Sequence, residues 1–480
     1  MGGLGFDGQK HPVPGTSLEL GKPLSAHGSP RRIIVDLTDV LAQIAEQRSL
    51  TGIPRVVMEF TEAAPEIASR YGIPLIFGYY DQVSRHFIEL IAEKQDSPTA
   101  PENSFRFIYA KDNVALSKAR SINFSKIRMK YEGKPLRQHF HLAKGHARLA
   151  RRRFMSKIGF NLGANPQARM LKFRSNDVFL MLGSGWHALP VLEYIRPFVL
   201  KGLIHPLVLV HDLIPLLNTG ERTIPPALFR HWLDLSTELT GHYLTYSGAT
   251  KSDLLSYFDT LGIAPTVEVV PLVHELRSVC KTQLSYASRQ LNGKRYALFV
   301  GPLHGRKNAR RLLEAWRIVL SRLGPELTPV LAITDGSDAD NIEPTHIRPI
   351  RSHVCLLDRP GDYELSVLYK HAAFTVFPST YEGWGLPVGE SLWHGTPCIT
   401  SNISSLPEVG GSLCDYVDPF SIESISEGIL RLASDEKYRI QRRQLILENK
   451  LRSWSDFAEG VLAFATRMQW GEDVNSGHRH

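Results

Sequence analysis

Short apolar runs separated by longer amphipathic stretches set the texture of the chain from Phe179 onward. The runs VFLML, HPLVLV, YLTY and VEVVP read as strands,. A second series opens at RYALFVG and continues through PVLAIT, HVCLL, FTVFP and TPCIT. The spacing after RYALFVG predicts a helix from Ala309. There Ala309, Leu312, Leu313, Trp316, Val319 and Leu320 fall on one face at a period of 3.6 residues,. Nearer the start, Ile33 to Val35 reads as a short buried strand. Uniformly apolar strands spaced by helical segments predict parallel sheets covered on both faces. The fold class is therefore α/β, with two Rossmann-like domains. Open sheets of this kind take ligands at the carboxyl ends of their strands. Two such domains facing each other would hold a ligand in the cleft between them.

The expected organisation runs as follows. Residues 1–30, with seven Gly, four Pro and few apolar anchors, form a disordered tail,. Residues 31–272 form the N-terminal domain, with an insertion at 111–174. Residues 273–293 are a linker, and 294–450 form the C-terminal domain. A helix within 451–470 has Phe457, Val461, Leu462 and Phe464 on one side, and 471–480 is a second tail. No short-period repeat is visible.

Composition narrows the class. The 480 residues are 43% hydrophobic and 22% charged, ordinary for a soluble protein,. The longest apolar run, Leu203 to Leu217, is broken by His205, Pro206, His211 and Asp212, so no membrane span is expected,. The start, MGGLGFDGQK, predicts no secretory leader, and Phe6 stands where myristoylation needs Ser or Thr,. Four scattered cysteines without CxxC spacing argue against a zinc site or a disulfide scaffold and predict a cytoplasmic protein,.

The net charge of +8 is uneven. Residues 111–174 hold 17 Lys and Arg against two acids, giving +15 and leaving −7 for the rest. Such a segment is either a solvated face or an attractor for something anionic, such as a membrane surface. No nucleic-acid module accompanies it, so nucleic acid is not expected as a partner.

One string carries chemistry: FTVFPSTYEGWGLPVGESLWHGTPCIT. A strand ends in a turn, Glu382 follows, then Gly383, Trp384, Gly385 and Leu386, and a helix opens with Pro387 in its first turn,. Glycines let a backbone approach a ligand, and amides at a helix start favour anions. The arrangement suits a diphosphate, with Glu382 and Glu390 better placed for sugar hydroxyls. Tight packing alone would also explain the glycines. A second string, VGPLHGRKN, puts Arg306 and Lys307 just before a helix, where positive charge is unfavourable unless an anion is present,.

Glu382 and Glu390 resemble the Glu-x7-Glu signature of retaining glycosyltransferases of family 4, which have the GT-B fold. The resemblance runs from about Val35 to Trp454. It implies transfer of a sugar from a nucleotide-sugar with retained configuration, without a bound metal or resident cofactor. In its terms Glu382 and the Gly383–Leu386 backbone hold the donor sugar and phosphate, and Glu390 the ribose. Arg306 and Lys307 grip the diphosphate. Pro302 departs from many relatives, which carry Arg there. Backbone around Leu357 would meet the nucleobase. His211, at the end of LVLVHDLIPLL, would bind a sugar hydroxyl, with Asp212 orienting its ring. Thr51, Gly52 and Arg55, in RSLTGIPRV, resemble the loop after the first strand, and Ser247 is a further candidate contact. GSGW at 183–186 is another family landmark. GT-B chains also end in a helix that crosses back onto the N-terminal domain.

The branch resembled includes mannosyl- and rhamnosyltransferases of surface polysaccharides. It implies a hexose donor, GDP-mannose favoured, and a glycan or lipid-linked acceptor, with the basic segment against the inner face of a membrane in lipopolysaccharide synthesis. Alternatives are another GT-B sugar-nucleotide enzyme, an epimerase or an inverting transferase, and a non-catalytic sugar-nucleotide-binding partner.

Overall fold

A computed structural model describes residues 32–44, 52–90, 92–94, 105–107, 134–135, 137–144, 147, 169–217, 224–277, 283–303, 305–335 and 346–468. Both expected tails, Thr51 and most of the basic 111–174 segment lie outside the described residues. The chain divides into two compact units. One is residues 273–453, and the other joins residues 20–272 to 454–480.

The N-terminal unit holds β1 (Ile33–Asp36), β2 (Leu75–Asp81), β3 (His86–Leu90), β4 (Ala92–Lys94), β5 (Phe105–Phe107), β6 (Arg169–Met170), β7 (Asp177–Met181), β8 (Ile204–Leu209), β9 (His242–Thr245) and β10 (Thr266–Val269). Eight of these form one sheet in the order β10-β9-β8-β7-β1-β2-β3-β6. Its pairings are parallel from β10 to β2, while β3 runs antiparallel to both β2 and β6. β4 and β5 form a separate antiparallel pair.

Strands β1 and β7 are buried along their whole length, which is why they read as unbroken apolar runs rather than alternating ones,. The Ile53–Arg70 helix starts with Pro54 in its first turn and carries Pro65 inside it. The loop expected over RSLTGIPRV thus gives way to helix from Ile53, and a first-turn proline costs a helix nothing.

The Trp454–Arg467 helix belongs to this same unit. Phe457 meets Phe60 and Tyr246 edge-on, and Tyr71 Oη donates to Glu459 at 2.8 Å. A side chain at Gly460 would collide with Val270, so the glycine sets how closely this helix packs.

The C-terminal unit holds β11 (Tyr296–Pro302), β12 (Val330–Asp335), β13 (Val354–Leu356), β14 (Phe374–Phe377), β15 (Cys398–Ser401) and β16 (Cys414–Val417). They form one sheet, all parallel, in the order β13-β12-β11-β14-β15-β16. Counted within the unit this is 3-2-1-4-5-6, the Rossmann order. The Ala309–Leu323 helix buries Ala309, Leu312, Leu313, Trp316 and Val319, the face its periodicity predicts.

In such a sheet the winding reverses between the first and fourth strands. The loops leaving β11 and β14 therefore part to opposite faces and open a crevice at the carboxyl edge. The N-terminal unit has the same reversal between β1 and β7.

Candidate active site

The two loops at the C-terminal unit's reversal point are the two that carry the chemical strings. After β11 comes a 3-10 turn, Gly305–Lys307. After β14 comes the stretch from Pro378 to Gly385. They are sewn together by the main chain, Thr380 N donating to Arg306 O at 2.8 Å. Asn308 adds two bonds from one amide, Nδ2 to Pro378 O at 2.9 Å and to Pro419 O at 2.7 Å. To reach both carbonyls Asn308 sits in the left-handed region, with φ +63°, which asparagine tolerates better than most residues.

This stitching brings Arg306, Lys307 and Glu382 together. Arg306 Nη1 and Lys307 Nζ each lie 2.7 Å from the same oxygen, Glu382 Oε1. Glu382 is almost fully buried. Burial works to raise its pKa, but the charges of Lys307 and Arg306, with the hydrogen bond from Lys307, hold it below the ordinary glutamate value,. The three side chains carry one net positive charge. Lys307 is also held over the Phe377 ring at 4.4 Å, and Gly301, with φ +136°, lies alongside its stem.

The rest of the Glu382 loop is fixed by packing. Trp384 is buried and donates from Nε1 to Val273 O at 3.1 Å, so its side chain is an anchor. Gly385 has φ +109°, and a Cβ there would run into Leu406, so no other residue fits. The helix from Leu386 to Trp393 follows. Glu390 is buried in it and accepts from Tyr369 Oη at 2.9 Å through Oε2. Leu357 lies just beyond β13. Its side chain is core, packed with Tyr296 and Leu365, and its N–H is given to Ile333 O. Only its carbonyl is left for the base contact that the resemblance implies.

The N-terminal unit's candidates gather at the carboxyl edge of its own sheet. His211, just past β8, is buried. Its Nδ1 lies 2.8 Å from Tyr246 Oη. Its Nε2 makes no hydrogen bond among the described residues. Burial pushes the ring pKa down to about 4, against the nearby Gly183 and Leu182 carbonyls, which favour its charged form. The ring is therefore neutral at neutral pH. The expectation that Asp212 orients it needs correcting. The ring partner is Tyr246, and Asp212 Oδ1 takes the N–H of Ile214 at 2.9 Å, forming a turn,.

Ser247 caps the Gly248–Asp259 helix, accepting from Thr250 N at 3.1 Å and donating to Thr250 Oγ1 at 3.0 Å. Its hydroxyl proton is thereby used in the fold, and a second lone pair remains on its oxygen,. Gly52, with φ +63°, precedes the Ile53–Arg70 helix and accepts from Val56 N. Arg55 lies in the first turn of that helix.

Two carboxylates escaped the sequence reading. Asp36, at the end of β1, accepts from Thr38 N at 3.0 Å and from Thr38 Oγ1, which in turn accepts from Tyr80 N. Asp39 accepts from Ser184 N, and Gly183 leaves no room for a side chain against it. The Asp39–Ser184 bond ties the β1 side of the reversal to the β7 side. Burial raises Asp36 to about 7 and Asp39 to about 6,. An acid directly after a buried first strand was the one available signal.

Residues 283–450 match the family model described as Glycosyl transferases group 1. Among curated proteins, the chain is 30% identical over 222 residues to O-antigen chain mannosyltransferase B of Escherichia coli, covering 44% of this chain and 57% of that one. It is 24% identical over 289 residues to the serotype-specific mannosyltransferase WbdA of the same organism, covering 56% of this chain and 34% of that one. The chain thus spans about half or less of the length of these relatives. Among solved structures, a sucrose-phosphate synthase from Thermosynechococcus elongatus superposes with a TM-score of 0.53 at 16% identity, over 89% of this chain and 96% of that one. At that identity the likeness concerns the fold, which is GT-B.

Proposed function

We propose that this chain, which carries a group 1 glycosyl transferase domain over residues 283–450, moves a hexose from a nucleotide-sugar to a glycan or lipid-linked acceptor in surface-polysaccharide synthesis. Mannose from GDP-mannose is the favoured donor group, since the curated relatives are named as mannosyltransferases of O-antigen chains. The observation that carries the reading is the meeting of Arg306 Nη1 and Lys307 Nζ on Glu382 Oε1, each at 2.7 Å.

Two cations on one buried carboxylate leave a net positive centre beside a glycine-rich turn. Such a centre stabilises charge that builds up on a departing diphosphate. In the proposed reaction the bond from the sugar's anomeric carbon to the phosphate oxygen breaks. The acceptor oxygen bonds to the same carbon on the same face, and the acceptor proton passes to the leaving phosphate oxygen. Configuration is retained and no metal is required.

Glu382 is a poor proton acceptor at neutral pH, because its pKa is held below the ordinary value,. It is instead an ionised partner for sugar hydroxyls. Glu390 takes the ribose, and neutral His211 a sugar hydroxyl. The protein is proposed to work in the cytoplasm. Among the described residues no helix is long and apolar enough to cross a membrane.

The choice of variant matters. Removing Glu382 would take from two half-buried cations the carboxylate they share and threaten the fold,. Lys307→Ala leaves the Arg306–Glu382 pair in place. Its turnover of GDP-mannose should fall by about 10²-fold or more with an unchanged circular dichroism spectrum, and EDTA should leave wild-type turnover unaltered. Near-normal activity of the variant would refute the assignment.

A further inference from the structure

We propose that Tyr246 is a positioning residue that keeps the imidazole proton of His211 on Nε2, so that the ring meets the nucleotide-sugar as a hydrogen-bond donor. The inference deepens the reading above and rests on it.

His211 follows β8 and Tyr246 follows β9, neighbouring parallel strands of the N-terminal sheet. Tyr246 Oη and His211 Nδ1 lie 2.8 Å apart, and both residues are buried. A neutral imidazole carries one N–H, and its other nitrogen can only accept. The hydrogen bond made by one nitrogen decides where that proton sits.

Counting protons in this pair settles the tautomer. Burial and the charge of Asp212 push the Tyr246 pKa well above its ordinary value, so the phenol keeps its proton. Among the described residues His211 Nδ1 is the one hydrogen-bond partner of that phenol. If Tyr246 donates, Nδ1 is satisfied and the ring proton sits on Nε2. If Nδ1 donates instead, the phenol proton has no acceptor and Nε2 is a bare lone pair as well. The first arrangement leaves one buried orphan and the second leaves two, and each orphan costs the fold.

The single orphan is the Nε2–H. The carbonyls of Gly183 and Leu182 stand near the ring and favour its charged form, but neither closes a hydrogen bond on Nε2. A buried donor without a partner needs an explanation, and a sugar oxygen that accepts from it supplies one. A protonated Nε2 cannot take the acceptor's proton. His211 therefore contributes a fixed dipole, in keeping with a reaction whose proton goes to the leaving phosphate.

Tyr246→Phe removes the hydroxyl and keeps the ring that meets Phe457 edge-on. The test uses the full chain with isotope-labelled histidine nitrogens, the His211 signals being assigned by their loss in His211→Asn, together with turnover of GDP-mannose. NMR should place the His211 proton on Nε2 in wild type and on both nitrogens in Tyr246→Phe. The variant's kcat/KM should fall about tenfold, the worth of one hydrogen bond, with a normal circular dichroism spectrum. In a His211→Ala background the same tyrosine change should cost less than about twofold, because its effect runs through the ring.

A wild-type proton on Nδ1 would overturn the inference, as would unchanged turnover in folded Tyr246→Phe. So would a tenfold loss that persists in the His211→Ala background, which a merely structural role produces. If Tyr246→Phe fails to fold, the wild-type spectrum decides. Wild-type protein that transfers no sugar from GDP- or UDP-sugars strikes the functional reading and the sugar contact with it, while the ring nitrogens still report whether Tyr246 sets the tautomer.

Discussion

Equally buried carboxylates in this chain behave in opposite ways, and the difference lies in what stands next to them. Glu382 has two cations at 2.7 Å and stays ionised. Asp36 has hydrogen bonds from Thr38 but burial dominates, and its acid form persists to about pH 7. A pKa raised in the folded state means that the folded chain binds more protons than the unfolded one between about pH 4 and pH 7. Stability from this group is therefore present in acid and lost as pH rises through 7. Asp36→Asn keeps the acceptor oxygen and removes the titration. The variant should gain on wild type by on the order of 2 kcal/mol between pH 5 and pH 8, read from urea unfolding at both values; a gap that does not change with pH would show that Asp36 is charged when folded. His211 shows the converse, a base pushed down to about 4. At this scale the sequence disclosed the residues that sit inside recognisable strings, Arg306, Lys307 and Glu382. It did not disclose Tyr246 and Asp39, which reach their roles through contacts across many residues of chain, and no local spacing announces those.

Strands and their exit loops decide which of these residues meet. The strings at 300–308 and 374–386 lie far apart in the chain, but β11 and β14 are neighbours across the reversal of the C-terminal sheet. Asn308 is the rivet between their loops. Asn308→Ala would delete two hydrogen bonds to buried carbonyls and strain a left-handed position. Its cost in urea unfolding should be about 2–4 kcal/mol. Asn308→Gly should recover the backbone part but not the bonds, and equal stability of the two variants would mean the φ value contributes nothing. Most parallel strands were legible because burial on both faces makes them uniformly apolar. The hairpin of β2 and β3, toward one edge of the sheet, was not, since it is only partly buried. β16 was missed as well, being four residues long with a polar centre.

For the whole molecule, charge is the property that remains to be used. The chain sums to +8 only because residues 111–174 carry +15; the remainder is −7. Evenly spread charge would serve solubility alone, whereas a concentrated block creates a local field and seeks an anionic surface. A lipid-linked acceptor would lie at such a surface. Each Lys or Arg close to an anionic membrane contributes about 1 kcal/mol, and the attraction decays within a Debye length of about 10 Å at 0.1 M salt. A few of the 17 basic residues would therefore suffice for measurable binding. Full-length protein should co-sediment with vesicles containing phosphatidylglycerol and stay in the supernatant with vesicles of phosphatidylcholine alone. Binding should fall steeply between 0.05 and 0.5 M salt, since screening acts on exposed charge and not on apolar insertion (about 10 Å of reach shrinking to a few). Replacing Arg151, Arg152 and Arg153 by Gln should weaken sedimentation while leaving turnover on a water-soluble acceptor unchanged. Sedimentation indifferent to both lipid charge and salt would make the segment a solvated face.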